Sequence, residues 1–221
     1  MQLAVPMARI ELLNSCQMGA CIEYSKLQDF TAQPTLFMEF HGSKASVDEQ
    51  IELVESVAQE YGAQGFRWAE TLEQRNQLWT ARHKAYFAGM ALNPGASVIS
   101  TDVCVPISKL ADCIELAEAK ALELGFNCPL VGHVGDGNFH LLIPFYPDNQ
   151  AQVLAAKELS HHLVQLALAL QGTCTGEHGI GLRKMDYLIE EHGAKAVQTM
   201  AVIKRALDPK NIMNPGKIFE L

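Results

Sequence analysis

Two short, glycine-rich stretches hold the residues best suited to chemistry. The first is Gly132-His133-Val134-Gly135-Asp136-Gly137-Asn138-Phe139-His140, where β-rich runs flank an Asp-Gly pair, a strong hairpin signal. With Asp136 and Gly137 as the turn, counting outward pairs Gly135 with Asn138, Val134 with Phe139 and His133 with His140. Directly opposed residues on one face have Cβ atoms about 4.5–5.5 Å apart, from which two imidazoles can converge on one metal ion. The second stretch is Gly176-Glu177-His178-Gly179-Ile180-Gly181, an acid and a histidine among glycines, which permit unusual backbone angles and close ligand approach. Glu177 would complete a site of two histidines and one carboxylate, a set with open positions that suits zinc or manganese. His178 would then serve as a base.

Each residue also has a plainer reading. A histidine in a strand is more often a core or edge residue than a ligand, and Asp136 is what the turn itself demands. His161 and His162 fall mid-helix as surface or packing residues, His41 ends a strand, and His192 resembles a helix-end cation. The six cysteines have no metal-like pair spacing and read as reduced thiols in the core.

Positioning these stretches falls to short β-rich runs alternating with amphipathic helices. Residues 35–41 read as a strand. Ser46 with Glu49 forms a capping box, opening a helix with Ile51, Val54, Val57, Ala58 and Tyr61 on one face and Gly62 at its end. A second short strand is expected at 65–69, and Thr71 with Gln74 offers another capping box for a helix to about Ala91. Residues 97–105 read as one strand, stopped by Pro106. Ser108 caps a helix with Leu110, Ile114, Ala117, Ala121 and Leu124 inward, closed by Gly125. Strands at 129–134 and 139–145 follow, then helices near 149–170 and 194–207. This order predicts an α+β fold: a mostly antiparallel, ferredoxin-like sheet with helices packed on one face, plus a C-terminal helical extension.

At 221 residues, 48% hydrophobic and 19% charged, the chain can bury a real core and reads as one large domain. A net charge of -8, from 17 basic and 25 acidic residues, argues against a nucleic-acid partner. Residues 1–13 are broken by Gln2, Pro6, Arg9 and Glu11 and read as neither signal peptide nor membrane span. The expected compartment is cytoplasmic or matrix-like.

Together with the ending Leu207-Asp208-Pro209-Lys210-Asn211-Ile212-Met213-Asn214-Pro215-Gly216-Lys217, the two glycine-rich stretches resemble the C-terminal domain of FAD-linked oxidases across nearly all of 1–221. That family's N-terminal FAD-binding domain lies outside these residues. Ala8-Arg9-Ile10-Glu11-Leu12-Leu13, residues 34–42, Leu78-Trp79-Thr80-Ala81-Arg82 and Ser100-Thr101-Asp102-Val103-Cys104-Val105-Pro106 are similar to the cytochrome-linked D-lactate dehydrogenases within it. The resemblance implies that His133, His140 and Glu177 bind a divalent metal, zinc or manganese, which grips the substrate carboxylate and α-hydroxyl. It implies that His178 takes the hydroxyl proton as hydride moves to FAD, and that the fixed cationic fork of Arg82 pairs with the substrate carboxylate. Asn138 and Asn214 would approach the isoalloxazine edge. Arg82 reads equally as a surface helix arginine, and the asparagines as turn or cap residues.

The implied partners are a D-2-hydroxy acid, a FAD-binding domain or subunit, an electron acceptor such as a cytochrome or quinone, and a second copy in a homodimer. The implied location is peripheral at an inner membrane face, mitochondrial in a eukaryote. Relatives acting on D-2-hydroxyglutarate carry a lysine near 100 and an asparagine near 142. Ser100 and Leu142 stand here, which tilts the expected substrate toward D-lactate or a similarly short acid. Two other readings stand beside this one: a self-sufficient metal-dependent hydrolase, and a non-catalytic ligand-binding module with a structural metal.

Overall fold

The computed structural model describes residues 5–69 and 71–220; residues 1–4, at the head of the stretch read as neither leader nor span, lie outside it. In chain order the elements are β1 (Met7–Leu13), α1 (Ser15–Ser25), β2 (Thr35–Phe40), α2 (Lys44–Glu60), α3 (Leu72–His83), α4 (Ala85–Ala91), β3 (Ser97–Ser100), β4 (Val103–Cys104), α5 (Ile107–Glu123), β5 (Leu130–His133), β6 (Asn138–Phe145), α6 (Gln150–Ala169), α7 (Met185–His192) and α8 (Ala194–Leu207). The fold is α+β, and its paired strands run antiparallel. Two compact units divide it: Met1–Pro94 with Pro129–Gly135, and Gly95–Cys128 with Asp136–Leu221.

In the first unit β1 is central, with β2 on one side and β5 on the other, so that Leu12 faces Leu36 and Gly132. Asn14 joins the sheet to the next helix: its Oδ1 caps α1 at the Gln17 amide (2.9 Å) and also accepts from the Leu130 amide (3.0 Å). The core gathers Leu13, Met18, Cys21, Phe37 and Val131 with Ala81, Ala85 and Ala88, small residues at helical spacing that let α3 and α4 lie close to α1. Helix α1 was not expected from the pattern. The single helix expected to run to Ala91 is two, because Lys84 leaves helical geometry at ψ 2° while the buried Gln17 amide takes the Ala85 carbonyl at 2.9 Å. The Thr71–Gln74 capping box is present as expected, but α2 is capped by Ser43 and not Ser46. No strand forms at 65–69; there Arg67 lies over the Phe30 ring and donates to the Asp29 carbonyl (2.8 Å), a side-chain tether in place of a ladder.

In the second unit β6 pairs with β3 and β4, Ser100 facing Leu142 and Val103 facing Phe139. The expected strand over 97–105 is therefore interrupted at Thr101 and Asp102, although the count is continuous and sets Asp102 across from His140. Thr101 keeps the seam closed by donating its amide to the Leu141 carbonyl (3.0 Å) while its hydroxyl accepts the Leu141 amide (2.8 Å). Helix α6 lies against β6 and β4 and buries Ala156, Leu159, Leu163, Val164 and Ala167; α5 packs on α6 with Leu110, Cys113, Ile114, Ala117 and Ala121 buried. Pro106, not Ser108, begins α5. Helix α8 has its expected limits and pairs with α7, which the sequence pattern did not disclose.

The connection from β5 to β6 is a four-residue turn at 134–137 instead of the two-residue Asp136-Gly137 turn. Gly137 has φ 81°, and a Cβ there would sit 2.0 Å from the Val105 carbonyl oxygen, so this position requires glycine. All six cysteines are free thiols, and no described helix is long and apolar enough to cross a membrane.

Candidate functional site

His140 stands mid-sheet on β6 and is 7% exposed. Its Nδ1 lies 2.8 Å from the Thr101 carbonyl, which can only accept, so the ring donates there and carries its lone pair on Nε2. That nitrogen lies 3.1 Å from Glu177 Oε1. Burial lowers the pKa of His140, with the hydrogen bond to Thr101 opposing and nearby His178 adding to the effect. The His140 Nε2 lone pair and the Glu177 carboxylate oxygen are two electron-pair donors facing each other, an arrangement that draws a cation or a proton between them. Two ligands about 2.1 Å from one ion at octahedral or tetrahedral angles lie roughly 3.0–3.4 Å apart, which the observed pair fits.

His178 stacks on His140, with ring centroids 4.9 Å apart and planes inclined by 15°, and its Nε2 lies 3.8 Å from Glu177 Oε1. At 46% side-chain exposure it remains open on one side.

The loop carrying Glu177 and His178 is held by Asp102, whose side chain is wholly buried. The carboxylate accepts from the Thr175 hydroxyl (2.7 Å), the amides of Glu177 (3.0 Å) and His178 (3.1 Å), Asn138 Nδ2 (3.0 Å) and Lys184 Nζ (3.2 Å). Burial alone would raise its pKa; the Thr175 bond, the two amide bonds and the Lys184 charge outweigh that and hold it far below the usual carboxylate range. Lys184 also donates to the carbonyls of Asp102 (2.7 Å) and Cys174 (2.8 Å). Gly176 must be glycine: a Cβ there would lie 1.8 Å from Asn138 Nδ2 and 2.8 Å from Asp102 Oδ1. One oxygen of Asp102, with a nitrogen each of His140 and His178, falls within a mutual 4.8 Å, close enough for a metal set, but five donors already occupy the carboxylate.

Arg82 and His133 meet a common partner within the first unit. Glu11 on β1 lies 2.7 Å from Arg82 Nη2 and 3.0 Å from His133 Nδ1. The side chains of Arg82 and Glu11 are each 12% exposed, so the surface-arginine reading does not hold. Burial pushes the Glu11 pKa up, but the hydrogen bond with His133 and the charge of Arg82 bring it below its ordinary value. Arg82 Nε is buried without a hydrogen-bond partner among the described residues.

The structure thus gathers His140, Glu177 and His178 in one unit and joins Arg82 to His133 in the other. Asn138 is buried, its Nδ2 shared between Asp102 and the Val103 carbonyl (2.9 Å), with Oδ1 left unpartnered among the described residues. Asn214 is exposed in the C-terminal segment, with φ 48°. The sequence reading gave no site role to Asp102, Lys184, Thr175 or Glu11, although Glu11 and Asp102 lie in two of the stretches that carry the resemblance and Asp102 is a charged residue inside a run that reads as strand. His161 meets the Tyr187 hydroxyl (3.0 Å) and His41 meets Glu39 (2.9 Å), outside this chemistry.

A family model described as FAD linked oxidases, C-terminal domain, matches residues 1–218. Among curated proteins, the chain is 47% identical over 221 residues to "Probable D-lactate dehydrogenase, mitochondrial" of Danio rerio, covering all of this chain and 44% of that protein. It is 41% identical to the mitochondrial D-lactate dehydrogenase (cytochrome) of Arabidopsis thaliana, over 99% of this chain and 38% of the relative. Glycolate oxidase subunit GlcD of Bacillus subtilis is 30% identical over 96% of this chain and 45% of its own length. The chain therefore spans less than half the length of these relatives. Among solved structures, 4-ethylphenol oxidase from Gulosibacter chungangensis superposes with a TM-score of 0.66 at 15% identity, over 95% of this chain and 47% of that one, a likeness of fold.

Proposed function

The chain belongs to the FAD linked oxidases as their C-terminal domain, and from that premise we propose that it is the substrate- and metal-binding half of an enzyme that oxidises D-lactate or a similar short D-2-hydroxy acid to the 2-oxo acid. The observation that carries this reading is the facing pair His140 Nε2 and Glu177 Oε1, with His178 stacked beside it on a loop clamped by Asp102. His140 and Glu177, with His133, are the proposed ligands of a divalent ion, zinc or manganese. When bound, FAD supplies the acceptor for the hydride leaving Cα, and the ion supplies the positive charge that makes an alcohol proton easier to remove. His178 receives that proton, and its half-exposed ring is oriented by the His140 face and the Asp102 clamp. Arg82 is the proposed partner of the substrate carboxylate, its guanidinium held in place by Glu11. Asn138 and Asn214 are the proposed flavin neighbours. The names of the relatives support a mitochondrial setting and a cytochrome as electron acceptor.

The metal assignment predicts about one divalent ion per chain by elemental emission after limited dialysis, lost in His133→Ala and in His140→Ala. Equally low content in all three proteins, together with no uptake on titration with zinc or manganese, would make the histidines structural.

Ser100 and Leu142, the two positions that depart from the dicarboxylate relatives, are direct cross-strand partners on β3 and β6, so they bear on substrate as one pair. A second substrate carboxylate would miss a charged hydrogen bond worth about 1.5–3 kcal/mol. In the full-length enzyme kcat/KM for D-lactate is therefore expected to exceed that for D-2-hydroxyglutarate by roughly 10–100-fold. A preference for the dicarboxylate would contradict the substrate assignment.

A further inference from the structure

Glu11 is set beside His133 by the backbone itself. The pairs Leu12–Gly132 and Leu13–Val131 fix the β1–β5 register, and one step further along it Glu11 stands across from His133. Its Oε2 lies 2.7 Å from Arg82 Nη2 and 2.9 Å from His133 Nδ1, and its Oε1 lies 3.0 Å from the same Nδ1. A carboxylate offers acceptors only, so the ring must donate from Nδ1, which leaves the lone pair on Nε2. Histidines that bind metals are commonly oriented in this way by an acceptor behind the ring. Arg82 can only donate, so one anion governs both side chains.

We infer that Glu11 is a positioning residue that holds His133 as the Nδ1–H tautomer and anchors the Arg82 guanidinium. Its importance to turnover rests on the proposed roles of His133 as metal ligand and Arg82 as carboxylate partner; its effect on the ring does not.

Glu11→Gln separates the two effects. Glutamine has one oxygen and one NH2 group. Arg82 needs the oxygen at the Oε2 position, so the NH2 takes the place of Oε1, 3.0 Å from His133 Nδ1, where it would meet a protonated nitrogen as donor to donor and so favours the ring proton on Nε2. The test is a long-range proton–nitrogen correlation spectrum of the labelled chain at pH 8, with the His133 signals assigned by their loss in His133→Asn. Wild type is expected to show Nδ1–H, Glu11→Gln to show Nε2–H, and Glu11→Asp to return Nδ1–H. Calorimetric titration with zinc should show affinity weakened by about 10–100-fold in Glu11→Gln, with unchanged far-ultraviolet circular dichroism.

Wild-type His133 protonated on Nε2, or a tautomer indifferent to Glu11→Gln, would overturn the inference. If the tautomer switches but neither protein takes up zinc, the positioning role stands and the metal reading falls. If both bind zinc alike with the same tautomer, the metal reading stands and the positioning role falls.

Discussion

His178→Asn in the full-length flavoprotein is expected to lower turnover by ~10²–10⁴, the usual contribution of a positioned acid–base group, while FAD and metal content stay at wild-type levels. The expectation follows from placement. Glu177, not His178, faces the His140 lone pair at 3.1 Å, whereas His178 presents a ring that is stacked on one side and open on the other. Its backbone amide is held by Asp102, so asparagine at 178 keeps the loop in place while removing the imidazole. Turnover and metal content measured on the same preparation separate the possibilities. Loss of the ion would make His178 a ligand. Near wild-type turnover would mean that another group takes the proton, and His140 would be the next to test.

Asp102→Ala is expected to cost about 3–5 kcal/mol of stability, read as a lower midpoint in equilibrium urea unfolding of the 221-residue chain, because it takes the counter-charge from a partly buried lysine and the shared acceptor from four further donors. Lys184 is 19% exposed, and removal of the carboxylate also leaves the Thr175 hydroxyl, the amides of Glu177 and His178, and Asn138 Nδ2 without their shared acceptor. Asp102→Asn tests the charge more narrowly, since it retains one oxygen but turns an NH2 group toward a set of donors. Midpoints for both variants that correspond to a change within about 0.5 kcal/mol would show that the clamp bears no load.

The parts of the site visible in the sequence were those whose signal is local. Glu177 and His178 announce themselves through Gly176, Gly179 and Gly181, and His140 through its place in a β-rich run beside an Asp-Gly turn. Helix α8 was legible because Gly193 precedes it and its apolar spacing is regular. What was missed depends on distant partners. Asp102 binds residues 36 to 82 positions away, and Glu11 reaches 71 and 122 positions along the chain, separations that no periodicity encodes. Strand propensity runs straight through 97–105, since nothing local says that Thr101 and Asp102 leave the ladder. Helix α1 went unseen because its buried face mixes Gln17, Met18, Ala20 and Cys21 around Gly19, too weak an apolar stripe to stand out.

Anaerobic rapid mixing of the full-length flavoprotein with D-lactate, followed by flavin absorbance, tests most directly whether this chain supplies the proton-accepting half of the oxidation. Fast bleaching by D-lactate and not by L-lactate in wild type, slowed by ~10²–10⁴ in His178→Asn, is the expected result. Absence of bleaching by D-2-hydroxy acids, or bleaching equally fast in His178→Asn, would contradict it.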